Sequence, residues 1–369
     1  MNDRTRFANW VRFRDVDRPL RWEWCFRADT TELWYRQGLS TKVPDEICWV
    51  EYFGLDRGSP FVVDLEPTTL GVEIAPNPGF TEEVVEETSD YGVKKNNWGT
   101  FFRELRSVDH RSIPQYLSFA VRCREDFQEI KKQLDPTDPR RYPQDWEERR
   151  ILWKDRDYPL RVHTHGWYGF ARALMGLEEL SYAFFDQPRL IDEIAEFWTD
   201  FIIRVFERAL AEVTPDYMLF WEDLAFKTGP LLSPDQFRRF FLPHYKRVIE
   251  HFRGHGIEMF MVDSDGNLDA ITPLWLEAGI NMLGPYEVAA GMDVVKVGQT
   301  WNDLVLIGGL DKREIAKGRK AIEAEVLRRV PPLLERGGYI PTLDHSTIPE
   351  LSLQDYRYYR EFLHKACEG

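Results

Sequence analysis

In the second half of this chain, short apolar runs alternate with helical patterns, and each run ends in polar residues. The runs occupy 158–162, 216–220, 257–262, 280–283, 304–307 and 338–343. Strands that alternate with helices predict βαβ units and a parallel sheet. An aromatic run at 20–26 and another around 116–121 bring the strand count to eight. We therefore predict an α/β fold of the (β/α)₈ TIM-barrel type.

Neither the length nor the motifs favour another architecture. The chain has 369 residues, enough for a barrel of about 250 residues with insertions. A doubly wound sheet is the alternative, but no GxGxxG or GxxxxGK phosphate loop follows any predicted strand. Short β-like pieces among prolines and glycines indicate an insertion at about 40–115. The prediction is one barrel domain over 1–369 that carries this insertion.

The acidic composition of the chain makes nucleic acids and anionic membranes poor candidates as partners. The formal net charge is −14, so nucleic acid and anionic membrane surfaces are disfavoured. The start of the chain has no apolar core like that of a signal peptide, and no apolar run reaches about 18 residues. We expect a cytoplasmic protein that acts on a small molecule. The four cysteines lie far apart, so their spacing indicates neither a disulfide framework nor a thiolate zinc site.

The candidate site comes from the residues at the strand ends. In a barrel, the carboxyl ends of the strands meet in one bowl, where catalysis takes place. A single Asp there could be an ordinary helix N-cap, but six successive strand ends carry Asp, Glu or His. The predicted catalytic residues are Glu222, Asp223, Asp263, Asp265 and His345. The predicted substrate-binding residues are Trp24, Arg27, His163, His165, Glu287, Asp311 and Asp344.

Spacing suggests roles for the acidic residues. Asp263 and Asp265 are two apart, so a continuing strand would place both on one side. Such a pair can bind a divalent cation through oxygen. Alternatively, mutual repulsion raises the pKa of one carboxyl, which then serves as an acid. We predict Asp263 and Asp265 as metal ligands. Glu222 and Asp223 are adjacent, so at most one faces the bowl if the strand continues.

The histidines allow two interpretations. His163 and His165 share a side of their strand, so they could form a metal-binding pair. We favour the alternative that they are a polar wall against the substrate or simple core histidines. Asp344 and His345 could form an acid–histidine pair with His345 as the proton carrier. Arg27 would anchor an anionic group. Nucleophilic triad chemistry is not supported, because no GxSxG motif is present.

Several motifs resemble those of the uroporphyrinogen decarboxylase superfamily, which also includes cobalamin- and folate-linked methyltransferases. The resemblance runs from about residue 17 to 359. The motifs that show this resemblance are DRP at 17–19, LMGLEEL at 174–180, GPLLSP at 229–234, DSDGN at 263–267, GGLDK at 308–312 and the segment 337–345. The resemblance implies the TIM barrel that the strand pattern also predicts.

Departures from the family patterns bear on the subfamily. The decarboxylases carry an arginine- and glycine-rich stretch after the first strand, of which only Arg27 remains here. The zinc methyltransferases carry a His-x-Cys pair where this chain has Asp263-Ser264-Asp265. They also carry a third Cys near the last strand, where this chain has Leu343-Asp344-His345. The resemblance therefore implies an oxygen-rich or histidine-containing site for zinc or another divalent metal.

The leading functional hypothesis is a methyltransferase that moves a methyl group between a small substrate and a corrinoid or tetrahydrofolate carrier. A corrinoid protein is the candidate partner. One alternative is decarboxylation of uroporphyrinogen or a related aromatic acid, which would need no cofactor. The other is a non-catalytic ligand-binding barrel, in which Asp263→Asn would leave the phenotype intact.

Overall fold

A computed structural model of the chain describes residues 1–62, 67–106 and 114–368. The strands of this part are β1 (Glu83–Glu87), β2 (Tyr91–Lys95), β3 (Phe101–Leu105), β4 (Gln115–Ser118), β5 (Arg161–His165), β6 (Tyr217–Trp221), β7 (Ala225–Phe226), β8 (Gly229–Pro230), β9 (Met259–Asp263), β10 (Met282–Gly284), β11 (Val305–Ile307) and β12 (Tyr339–Ile340).

Helices follow most of the strands of the second half, as the alternating pattern predicts. They are α1 (Asp3–Trp10), α2 (Ala28–Arg36), α3 (Trp49–Phe53), α4 (Arg124–Lys131), α5 (Trp146–Lys154), α6 (Trp167–Asp186), α7 (Pro188–Glu212), α8 (Pro234–Phe240), α9 (Leu242–Gly254), α10 (Thr272–Ala278), α11 (Val294–Thr300), α12 (Lys312–Ile315), α13 (Arg319–Arg336) and α14 (Leu353–Glu368). Short 3₁₀ helices lie at Pro139–Arg141 and Val288–Ala290.

Six strands form one parallel sheet in the order β12-β11-β10-β9-β6-β5. Its register decides which side chains share a layer. His165 lies opposite Trp221, Trp221 opposite Asp263, and Asp263 opposite Gly284. These four residues therefore form the layer at the carboxyl end of the sheet. A Cβ at Gly284 would lie 2.6 Å from the Ile307 carbonyl oxygen, so this strand end requires glycine.

Segments around Thr69 and Glu23 lie next to the edge strands β5 and β12 of this sheet. On one side Thr69 forms a parallel bridge with Arg161 of β5. On the other side, the Glu23 carboxylate accepts a hydrogen bond from Leu343 N–H at 3.0 Å. The Ser59 hydroxyl donates to the Glu23 carbonyl at 3.1 Å and so joins the two segments. The predicted barrel fold is confirmed.

The predicted eighth strand around 116–121 was misplaced. Gln115–Ser118 is β4 of a separate antiparallel sheet with the order β1-β2-β3-β4, and the neighbour of β5 is instead the segment around Thr69. That segment is short and stands among prolines, so its sequence has no strand-like pattern. The predicted β-like piece at 91–94 lies in β2, whereas the one at 61–65 falls mostly outside the described residues.

Apolar side chains fill the barrel interior and leave only its carboxyl end open. Alternate strand residues point inward and form a buried cluster, which includes Tyr217, Leu219, Met259, Met261, Met282, Val305, Ile307 and Ile340. Helix α1 covers the amino end, where Phe7 stacks on Trp22 at 5.5 Å between ring centroids. The Trp10 indole N–H donates to the Tyr339 carbonyl at 2.7 Å. The bowl therefore opens where the polar strand ends lie.

Among the described residues, no helix has both the length and the apolar character that a membrane crossing needs.

Candidate active site

Three side chains converge at the open end of the barrel from three different loops. Carboxylate oxygens of Asp265 and Glu287 and a ring nitrogen of His345 all lie within 4.8 Å of one another. The distance from His345 Nε2 to Asp265 Oδ1 is 3.3 Å. All three residues are half-buried. Two carboxylates and an imidazole at this spacing are a set of ligands that could hold a divalent metal ion.

Local contacts hold these three residues in place. Asp265 follows β9, and the next N–H, of Gly266, donates to a Glu287 carboxylate oxygen at 3.0 Å. This bond ties the loops after β9 and β10 together. The imidazole of His345 stacks on Trp24, with ring centroids 5.8 Å apart. Trp24 thus supports the site from below and is itself almost wholly buried.

The carboxyl groups of the bowl repel one another. Burial, followed by the charges of Asp223 and Glu287, raises the pKa of Asp265 to about 8. Burial and the charges of Asp223, Asp265 and Glu287 raise the pKa of Asp263 well above its ordinary value. Burial lowers the pKa of His345, and the nearby Lys312 lowers it further. The bowl therefore holds more acid than its own cations neutralise, and a bound cation would be stabilised there.

Sequence reasoning missed two cations that line this bowl. Lys312 Nζ lies 3.8 Å from Glu287 Oε1 and 3.7 Å from Asp344 Oδ1. The Arg172 guanidinium donates to the Asp223 carbonyl at 2.9 Å and lies over the Trp221 ring, 4.9 Å from its centroid. Lys312 belongs to the GGLDK motif and could have been inferred from it. Arg172 sits inside a helix, where nothing in the sequence distinguishes it from a surface arginine.

The hydrogen bonds of Asp344 come from backbone N–H groups of other loops, and its pairing with His345 stays a prediction. The Asp344 carboxylate is fully buried and accepts hydrogen bonds from Val288 N–H at 2.9 Å and Lys312 N–H at 3.1 Å. Burial raises its pKa. Asp344 therefore fixes the loops that carry Glu287 and Lys312, and the acidic neighbour of His345 is Asp265.

Glu222 and Asp223 follow the end of β6, and their side chains have different partners. Asp223 has a left-handed backbone (φ 46°), and its carboxylate is 3.3 Å from an Arg172 nitrogen at the bowl. Glu222 is fully buried outside the barrel wall. It accepts a hydrogen bond from Gly169 N–H at 2.6 Å, and the Tyr245 hydroxyl donates to it. Glu222 thus caps the first turn of α6 from the end of a neighbouring strand, and its catalytic role stays a prediction.

The buried Glu222 gives a testable pH dependence of stability. Burial raises its pKa from 4.5 to about 7. Between these values the folded chain holds a proton that the unfolded chain has released, so stability falls as pH rises through this range. Relative to Glu222→Gln, wild type should lose about 3 kcal/mol between pH 4.5 and pH 7. Urea unfolding of both proteins across this range measures the difference, and a constant difference would contradict the assignment.

Two further predicted substrate-binding residues have local partners. Asp311 caps α12, where its carboxylate accepts Arg313 N–H at 2.9 Å, and the Arg313 guanidinium also pairs with it at 2.8 Å. Arg27 pairs with the nearly buried Asp29 at 2.8 Å. The ordinary helix-cap interpretation therefore accounts for Asp311, and the charge of Arg27 is already matched by a neighbouring carboxylate.

The two histidines of β5 lie deeper in the bowl. The His163 side chain is accessible to solvent. The surrounding protein nevertheless desolvates its imidazole and lowers its pKa to about 3. Burial and Arg172 lower the pKa of His165 to about 4. Both are therefore neutral near pH 7. Among the described residues, the possible metal ligands that lie close together do not include these histidines, and the polar wall stays a prediction.

The fold and the site together define a TIM-barrel protein with a carboxylate-rich bowl. A family model described as uroporphyrinogen decarboxylase (URO-D) matches residues 107–366. The chain therefore belongs to the uroporphyrinogen decarboxylase family, which confirms the resemblance seen in its motifs.

One solved structure that is similar over the whole chain supports the same fold. A methyltransferase from Methanosarcina mazei superposes with a TM-score of 0.58 at 14% identity, over 98% of both chains. The putative vitamin-B12-independent methionine synthase from Listeria monocytogenes is a more distant likeness, with a TM-score of 0.36 at 10% identity over 60% of this chain and 66% of its own. Comparison with curated protein sequences gives no match.

Proposed function

We propose that this chain is a methyltransferase that moves a methyl group between a small substrate and a corrinoid or tetrahydrofolate carrier. The observation that carries the proposal is the convergence of Asp265, Glu287 and His345 at the mouth of the barrel. The likeness in fold to the Methanosarcina mazei methyltransferase supports it over the whole length of the chain. A corrinoid protein would be the partner if the carrier is a corrinoid.

The ligand set fits a divalent metal ion. Asp265 Oδ1 is a buried oxygen without a hydrogen-bond partner among the described residues. The raised pKa of its carboxyl reflects surplus negative charge that a cation would offset. Carboxylate oxygens with one imidazole suit zinc and related divalent ions better than a thiolate-seeking metal. When bound, the ion would act as a Lewis acid on the substrate atom that carries the methyl group.

Other residues of the bowl would donate a proton to the substrate and orient the carboxylates of the site. Asp263 lies beside the proposed ligand group, and burial is the largest cause of the raised pKa of its carboxyl. It is therefore suited to protonate the atom that loses the methyl group. Lys312, 3.8 Å from Glu287, would orient that carboxylate. Arg172 would similarly hold Asp223 at the rim.

Decarboxylation of an aromatic acid is less well supported by the geometry. Arg27, which would hold a substrate carboxylate, is already paired with Asp29. Asp223, Asp263, Asp265 and Glu287 gather in the same bowl, where Lys312 and Arg172 are already engaged with Glu287 and Asp223. A substrate with many carboxylates would be repelled there.

The proposal is tested by following conversion of cob(I)alamin to methylcobalamin by absorbance. The metal-loaded protein would be mixed in turn with methanol, trimethylamine, dimethyl sulfide and 3-methoxyphenol as methyl donors, and with tetrahydrofolate in place of cob(I)alamin. We expect conversion with at least one donor, and its loss in Asp265→Ala. Failure with every donor and both acceptors, together with release of CO₂ from uroporphyrinogen, would replace methyl transfer by decarboxylation.

A further inference from the structure

Beside the carboxylates, one side of the bowl is a continuous aromatic wall. The imidazole of His165 lies between two indoles and meets each of them edge-on. The ring centroids are 5.6 Å apart for Trp98 at an angle of 73°, and 5.1 Å apart for Trp221 at 83°. We call Trp98, His165 and Trp221 the aromatic wall. All three residues are half-buried.

Trp98 comes from outside the barrel and is held firmly. It lies in the turn between β2 and β3 of the antiparallel sheet. The Asn96 side-chain oxygen accepts both Trp98 N–H at 3.1 Å and Thr100 N–H at 3.0 Å. Gly99 has φ +80°, and a Cβ there would come within 2.9 Å of the Phe80 ring. This turn therefore fixes the position of an indole against a barrel residue that is distant in sequence.

The wall also contains an unmatched polar atom. His165 Nδ1 is buried and has no hydrogen-bond partner among the described residues. A buried polar atom without a partner is unfavourable, and a substituent of a bound molecule could satisfy it. A cationic ligand is disfavoured at this wall because the Arg172 guanidinium already lies over the Trp221 ring.

From these contacts we infer that the aromatic wall binds a planar, uncharged aromatic ring that bears a hydrogen-bonding substituent. The inference rests on the proposed function, since it names the class of substrate that the same bowl would take. Aromatic rings gain energy from edge-to-face and offset contacts beyond the burial of their area. Trp98 is then a substrate-contacting residue supplied by the antiparallel sheet.

The test compares 3-methoxyphenol with its ring-saturated counterpart 3-methoxycyclohexanol by titration calorimetry. The aromatic probe should bind wild type about tenfold more tightly than the saturated one. Trp98→Ala should remove most of this preference, whereas Trp98→Phe should keep it. Tyr116→Ala is the matched control, because Tyr116 is an exposed aromatic residue of the same sheet, and it should bind both probes as wild type does.

Three results would overturn the inference: equal affinity for the two probes, no binding of the aromatic probe, or an unchanged preference in Trp98→Ala. Methyl transfer from methanol to cob(I)alamin in the same preparation separates the two proposals. Transfer from methanol without any aromatic preference leaves the proposed function standing and removes the substrate class. An aromatic preference that depends on Trp98, without transfer from any donor, supports the wall and removes the proposed function.

Discussion

Asp265→Ala is expected to lose divalent metal binding and, with it, methyl transfer. Asp265 Oδ1 has no hydrogen-bond partner among the described residues. It lies 3.3 Å from His345 Nε2, a second member of the proposed ligand group. Substitution of residues that merely support metal ligands costs about 10–100-fold in affinity, so loss of a direct ligand should exceed about 100-fold. Titration calorimetry with zinc and with manganese, alongside mass spectrometry of the desalted protein, measures the effect.

The matched control is Asp269→Ala, which removes an exposed acid only four residues further along the chain. It should leave both metal affinity and activity unchanged. If Asp265→Ala and wild type bind the metal equally well, the ligand group is wrong. If neither binds it, the bowl works by proton transfer alone, and decarboxylation becomes as well supported as methyl transfer.

Glu23→Ala is expected to destabilise the barrel by about 3–5 kcal/mol, because it leaves Arg360 buried without its counter-charge. Glu23 is fully buried, and its carboxylate is 3.3 Å from Arg360 Nη1. The other carboxylate oxygen accepts N–H groups of Trp24 and of Leu343. One side chain thereby joins the first extended segment, the last barrel strand and helix α14.

Urea unfolding of purified variants measures this effect. Glu23→Gln retains an oxygen for the backbone N–H groups but not the charge, so its loss should be smaller than that of Glu23→Ala. An exposed acid elsewhere on α14, Glu361, provides the control, and Glu361→Ala should change stability by less than about 0.5 kcal/mol. If Glu23→Ala proved equally mild, Glu23 would not be the residue that closes the barrel.

The strand–helix alternation was enough to predict the barrel and where its bowl lies. Inside the bowl, the register of the parallel strands explains the layer of His165, Trp221 and Asp263. Glu222 and Asp223 lie beyond β6, so strand alternation does not decide their directions. Sequence also indicated an oxygen- or histidine-containing site, because cysteines are absent from the positions that carry them in zinc-dependent relatives. The group of Asp265 with Glu287 and His345 remains a proposal.

What the sequence could not predict depends on contacts between distant segments. Asp344 and His345 are neighbours in the chain, yet the Asp344 carboxylate is held by hydrogen bonds from the N–H groups of Val288 and Lys312. Trp98 reaches His165 from an antiparallel sheet whose docking leaves no local pattern in the sequence. Arg172 acquires its position only when α6 packs beside β6. Each of these features is set by tertiary packing.

X-ray absorption spectroscopy of the zinc-loaded protein is the most direct test of the proposed metal centre, since it needs no substrate. We expect nitrogen and oxygen ligands at about 2.0–2.1 Å from the zinc ion, with the scattering pattern of one imidazole and no sulfur. In His345→Ala the imidazole pattern should disappear while the oxygen shell remains. A sulfur shell at about 2.3 Å, or zinc whose surroundings are the same in wild type and His345→Ala, would contradict a centre built from Asp265, Glu287 and His345.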